Sequence, residues 1–192
     1  MMAKGRMEAF SDGVVAILIT ILVLELKVPH GADLAALAPL APVLLSYVLS
    51  FLYLAIYWNN HHHLLQAVKH VNGPILWANV HLLFWLSLFP FATAWMGENR
   101  FAPLPVALYG VVLLCAAVAY TILVRVLLRH HEPSSALHQA IGDDLKGKVS
   151  LAIYATGIAL ALWQPWLGFA LYAGVAAIWL VPDSRIEKAL VS

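Results

Sequence analysis

Arg6, Phe10, Ser11, Asp12 and Gly13 stand at the head of an apolar run, Val14 to Leu24, that only Thr20 interrupts. A guanidinium, a hydroxyl and a carboxylate beside a long apolar run are more than a plain anchor helix needs. An ionisable group at a membrane is costly and normally has a partner. A matching set occurs later in the chain, at Trp58-Asn59-Asn60-His61-His62-His63. From Val43 to His61 is roughly 27 Å of helix, which places the His run level with Asp12. We therefore expect Arg6, Phe10, Ser11 and Asp12 to form a polar network with a member of this His run, with Asp12 facing into its own subunit and His81 a further candidate. Adjacent histidines point about 100° apart, and the run contains no i, i+4 pair, so it does not read as a metal site.

The elements that must position these residues are helices. The chain has 192 residues, 62% hydrophobic and 11% charged, against about 25% charged in a typical soluble domain. Its mean hydropathy is +0.84. Membrane spans are helices or closed barrels, and the long apolar runs lack the alternation of barrel strands. The fold expected is an all-α integral membrane protein of one domain, 1–192, with six spans near 7–28, 43–65, 75–96, 106–128, 145–163 and 166–181. Pro90 is read as a kink in the third. If the first span is an ideal helix, Gly13, Ile17, Thr20, Ile21, Leu24 and Val28 share one stripe, which Arg6 and Phe10 extend.

The last two spans are short and could instead join as one kinked helix. Charge separates the two readings. With six spans, Lys4, Arg6, Lys69, Arg125, Arg129, Lys146, Lys148, Arg185 and Lys188 lie on one side, and only Lys27 and Arg100 on the other. The positive-inside rule then puts both termini in the cytoplasm. The start of the chain does not read as a signal peptide, since Glu8 and Asp12 interrupt it.

The pattern Arg6-x-x-x-Phe10-Ser11-Asp12-Gly13, followed by Ala16-Ile17-x-x-Thr20-x-x-x-Leu24, resembles the motif of the transmembrane protein 175 family. These are the lysosomal potassium channels and their bacterial relatives. The Trp-then-His pattern in the second span is also similar, and it implies that His61 or His62 bonds to the Ser11–Asp12 region. The motif itself covers only the first span. One six-span unit matches the bacterial members; the eukaryotic ones carry two.

The resemblance implies a potassium-permeable cation channel in the cell inner membrane. It implies a homotetramer whose first helix lines the symmetry axis, with K+ as the permeating ion, no cofactor and no resident metal. Rings of Ile17, Ile21 and Leu24 would then form an apolar constriction that closes by dewetting, with the Thr20 hydroxyl inside it. In the family the corresponding Ile and Thr positions are tied to gating and potassium preference. Selectivity would come from side chains and pore width, because no Thr-Val-Gly-Tyr-Gly filter is present.

Two other function classes compete. A proton-coupled or proton-conducting transporter could use Asp12 and the His61–His63 region, but it would more often show internal repeats and broken helices. A membrane scaffold is the other. No nucleophile–base set or phosphate-binding glycine loop points to an enzyme, and a net charge of +1 does not suggest a nucleic-acid partner. Cys115, the single cysteine, reads as a small hydrophobe. Asn79 and Ser87 are expected to bond between helices, His130 and His131 to sit in a solvated loop, and Gly110, Gly157, Gly168 and Gly174 to permit close packing.

Overall fold

A computed structural model describes residues 4–68, 70–131 and 144–180. Lys69, Glu132, Pro133, Val181, Arg185 and Lys188, which entered the sequence reading, lie outside them. The described chain is helical: α1 Lys4–Leu24, α2 Ala41–Gln66, α3 Gly73–Ser87, α4 Phe89–Glu98, α5 Pro103–Arg129, α6 Leu145–Trp163 and α7 Pro165–Leu180. A 3-10 helix, Leu34–Leu40, leads into α2. Five helical stretches are long and apolar enough to cross a membrane, counting the 3-10 helix with α2 and α3 with α4; α7 is shorter. The protein is a multi-pass membrane protein, with six helical units among the described residues.

Local chemistry explains the boundaries. α1 stops at Leu24, four residues short of the expected Val28. Glu25 still bonds back to Ile21, and Leu26 then bonds three residues back, to Val23, as the coil tightens before Pro29. The stretch before α2, expected as a loop, becomes a 3-10 helix because Asp33 Oδ1 accepts the Ala36 N–H at 3.1 Å. The third unit does not kink at Pro90 but breaks at Leu88. Proline lacks an N–H for the carbonyl four residues back and its ring crowds that carbonyl, so Pro90 takes a first-turn position of α4 instead.

Helices α6 and α7 form a tight hairpin. Gln164 between them is extended, at φ −139° and ψ 97°. Gly168 of α7 lies so near Gly157 O and Ala161 of α6 that a Cβ would collide with them. That excludes one continuous kinked helix.

The core joins α2 to α7 through aromatic rings. Tyr53 meets Phe89 and Tyr154, and Tyr172 meets Tyr109 and Tyr154. Tyr53 Oη donates to Tyr172 O at 2.6 Å. The Tyr172 ring lies in a cradle between Gly110 and Gly157, and its hydroxyl is buried without a partner. By contrast, Gly174 has nothing within 4 Å of its Cβ position, so it is not a packing glycine. A Cβ at Gly110 would strike the Tyr172 hydroxyl. Gly110→Ala should therefore cost about 1–3 kcal/mol, the usual cost of overpacking. Adding Tyr172→Phe, which removes an unpartnered hydroxyl, should recover only part of it, because the ring carbon Cζ and Ile158 Cγ1 would still crowd the new Cβ. Thermal unfolding of the purified variants reads both effects.

Candidate functional site: the two faces of the first helix

Helix α1 is divided lengthwise. Met7, Ser11, Val15, Leu18 and Leu22 are buried against the rest of the subunit. Their spacing of four, four, three and four keeps them on one side of the helix. On the far side Gly13, Ile17, Thr20, Ile21 and Leu24 are exposed, with Ile17 at 59% and Leu24 at 81%. Arg6 and Phe10 are exposed as well, and Phe10 reaches 59%. The sequence stripe is thus the face turned away from the subunit's own core, apart from Val28, which lies beyond the helix.

Thr20 has a defined orientation. Its Oγ1 donates to Ile17 O at 2.7 Å. The proton is spent within the helix, so the oxygen offers lone pairs outward from an otherwise apolar face.

On the buried face a three-residue chain of hydrogen bonds ties α1 to α2 and α3. Ser11 Oγ donates to Met7 O at 2.9 Å and accepts from Asn79 Nδ2 at 2.9 Å. Asn79 Oδ1 then lies 2.7 Å from His61 Nε2. Because Ser11 spends its proton on Met7, the Asn79 amide must give its N–H to Ser11 and its oxygen to His61. His61 therefore carries its proton on Nε2. All three side chains are buried.

Asp12 belongs to a second, more exposed arrangement. Trp58 Nε1 donates to Asp12 Oδ1 at 3.0 Å. The Trp58 ring stacks on His62, with centroids 5.8 Å apart and planes 18° apart. His62 accepts from Gln66 Nε2 at 2.8 Å, and its Nδ1 is 4.0 Å from Glu8.

Several expectations change. The partner of Asp12 is Trp58, neither Arg6 nor a histidine. Arg6 has no ion pair among the described residues, and Phe10 joins neither group. His81 accepts from Trp85 Nε1 on an exposed surface and lies outside the network. Ser87 donates to its own helix, at Phe84 O, rather than to a neighbour. Asn79 does bond between helices, as expected, and its place as the hub was not foreseen. His130 and His131 bond back to Val126 O and Leu127 O at the end of α5. Among the described residues no three His, Cys, Asp or Glu side chains converge as metal ligands.

The opposite end of α1 is tethered differently. Lys27, just beyond the helix, pairs with Glu98 of α4 at 2.7 Å, and both side chains are exposed. The carboxylate of Glu98, by hydrogen bond and charge, raises the Lys27 ammonium above its usual pKa.

These features define a helical membrane protein whose first span packs by one face and leaves the other, which from Gly13 to Leu24 is apolar but for one hydroxyl, uncovered by its own subunit. The family model described as the endosomal/lysosomal potassium channel TMEM175 matches residues 6–90. A potassium channel of Chryseobacterium sp. (strain P1-3) is 56% identical over 189 residues, 98% of either chain. One from Streptomyces collinus is 37% identical over 125 residues, 61% of either chain. The crystal structure of a lysosomal potassium-selective channel TMEM175 homolog from Chamaesiphon minutus superposes with a TM-score of 0.80 at 29% identity. That match covers 92% of this chain and 96% of the other. The chain belongs to the TMEM175 family, a family of ion channels rather than enzymes.

Proposed function

We propose that this chain is a potassium channel: a passive, potassium-permeable cation pore on the axis of a homotetramer, lined by α1 from each copy. One observation carries the reading. The face bearing Ile17, Thr20, Ile21 and Leu24 is exposed in the isolated subunit although it is mostly apolar. Cyclic symmetry turns four such faces toward one another. Rings of Ile17, Ile21 and Leu24 then hold water poorly and close the path by dewetting, and the Thr20 oxygen offers a cation a partial substitute for its hydration. K+ is the permeating ion and no cofactor is required.

The proposed site is the inner membrane, with both termini cytoplasmic. Among the described residues Lys4, Arg6, Arg125, Arg129, Lys146 and Lys148 supply the basic charge of one end of the bundle. Contacts support grouping them: Lys4 Nζ lies 3.5 Å from Gln66 O, and Tyr120 near the end of α5 bonds Asn60 near the end of α2. Lys27, which pairs with Glu98, belongs to the other end. That asymmetry has the sense of the positive-inside rule.

Reconstitution in liposomes tests the function. Potassium should flow down its gradient without saturating and without a coupled proton. Saturating, proton-coupled flux would point to a transporter working through Asp12 and the His61–His63 region. Absence of flux would point to a scaffold.

A further inference from the structure

A cavity of about 50 Å³ opens between α2, α5, α6 and α7, away from the exposed face of α1. Its walls are largely aromatic, from Tyr53, Tyr57, Tyr120, Tyr154 and Trp179, and Asp144 at the start of α6 contributes a carboxylate.

The hydrogen bonds of this lining are one-sided. Tyr120 Oη donates to Asn60 O at 3.2 Å, and Thr121 Oγ1 donates to Ala117 O at 2.9 Å. Tyr154 Oη donates to Tyr53 Oη at 3.3 Å, and Tyr53 in turn donates to Tyr172 O. The Trp179 indole N–H goes to Ser150 Oγ. Each of these donors is spent within the protein, while oxygen lone pairs remain open.

Two further groups complete the lining. Tyr57 is only 9% exposed, and among the described residues its hydroxyl has no hydrogen-bond partner. The Tyr57 ring meets Tyr120 edge-on, with centroids 6.1 Å apart. Asp144 sits in the left-handed region at φ 40°, rare for a residue other than glycine. Its Oδ1 accepts the Gly147 N–H at 3.1 Å, and among the described residues Oδ2 has no hydrogen bond. Arg125 and Lys148 act on this carboxylate from exposed positions, where solvent screens them.

Apart from the Tyr57 hydroxyl and the Asn60 amide the donors are spent, and a lining of open oxygen acceptors, π-systems and one carboxylate suits a cation that brings its own N–H groups. An anion would instead meet the Asp144 carboxylate and the ring faces. The Trp179 ring already has a cation near it, since Lys146 Nζ lies 5.9 Å from its centroid. We propose that this cavity binds a small primary ammonium ion, its N–H groups directed to the Asp144 carboxylate and the Tyr57 hydroxyl oxygen, its short alkyl stem against the tyrosine rings. The site is distinct from the pore face, and its occupancy is read on purified protein without reference to conduction.

The probe is methylammonium chloride, compared at equal ionic strength with potassium chloride and tetramethylammonium chloride, and the readout is thermal unfolding in detergent. Methylammonium should raise the midpoint saturably. Potassium, which lacks directional N–H groups, and tetramethylammonium, which has none and is larger, should not. Tyr57→Phe removes a hydroxyl with no bond to lose, and Asp144→Asn keeps a good helix cap, so both unliganded variants should unfold near the wild-type midpoint. Their methylammonium affinity should fall about tenfold or more, the size of a lost charged hydrogen bond. An equal rise with all three salts, no saturable rise with methylammonium, or a wild-type response in both variants would overturn the proposal.

Discussion

Ile17→Asn is expected to raise conductance and lower the closed fraction of the channel. In the proposed ring four Ile17 side chains face one another, each 59% exposed in the isolated subunit. Apolar walls at that spacing give water too few partners, so an ion would shed hydration with nothing in return. An amide carries two donors and an acceptor at the same place, and would hold water across the gap. Every 1.4 kcal/mol or so removed from the barrier speeds passage about tenfold. Thr20→Val should act differently. It keeps the volume but removes the oxygen whose lone pairs face outward while its proton is held by Ile17 O. The expected result is a weaker preference for potassium over sodium with little change in closure. Single-channel recordings with bi-ionic reversal potentials separate the two effects. If Ile17→Asn leaves conductance unchanged and Thr20→Val leaves the reversal potential unchanged, α1 does not line the path.

The second large effect is expected on stability, at Asn79. Its amide is the link between Ser11 and His61, and all three side chains are buried. Asn79→Leu leaves the His61 N–H with no acceptor, which costs about 1–3 kcal/mol, and removes the bond to Ser11, worth about 1 kcal/mol more. A loss of about 2–4 kcal/mol should appear in unfolding of the purified channel. Ser11→Ala added to Asn79→Leu should cost less than it does alone, since the link is already broken. Additive losses would mean that the three residues do not act as a chain. Asp12→Ala should cost less than Asn79→Leu, because its partner Trp58 is itself half-exposed.

Much of this was legible in the sequence, for physical reasons. Six helical units follow from long apolar runs cut by Pro and Gly, and the outward face of α1 follows from the spacing of Gly13, Ile17, Thr20 and Leu24. That the polar residues at the head of α1 meet the second unit also followed, from matching depths along two helices. Their pairing did not. Asn79 lies 68 residues from Ser11. An asparagine in an apolar helix announces that it needs a partner, not which one. Nor does charge complementarity predict that Asp12 takes an indole N–H while Arg6 stays outside the subunit. The break at Leu88 illustrates another limit. A proline is conspicuous in sequence, but its steric demand falls on the preceding turn, so the discontinuity appears two residues before it.

The two ends of α1 are fastened unequally, and in the proposed ring this makes the helix a lever. At the Ser11 end the pivot is a chain of buried hydrogen bonds; at the Leu24 end, beyond the apolar contact of Leu22, the polar tether is an exposed Lys27–Glu98 pair, which salt screens. Thirteen residues separate Ser11 from Leu24 in the sequence, an arm of about 20 Å. A swing of about 5° at the pivot would carry Leu24 by about 1.7 Å, and four copies moving together would widen that end by about twice as much. A gap that had excluded water would then admit it, while the Ser11 end stayed nearly still.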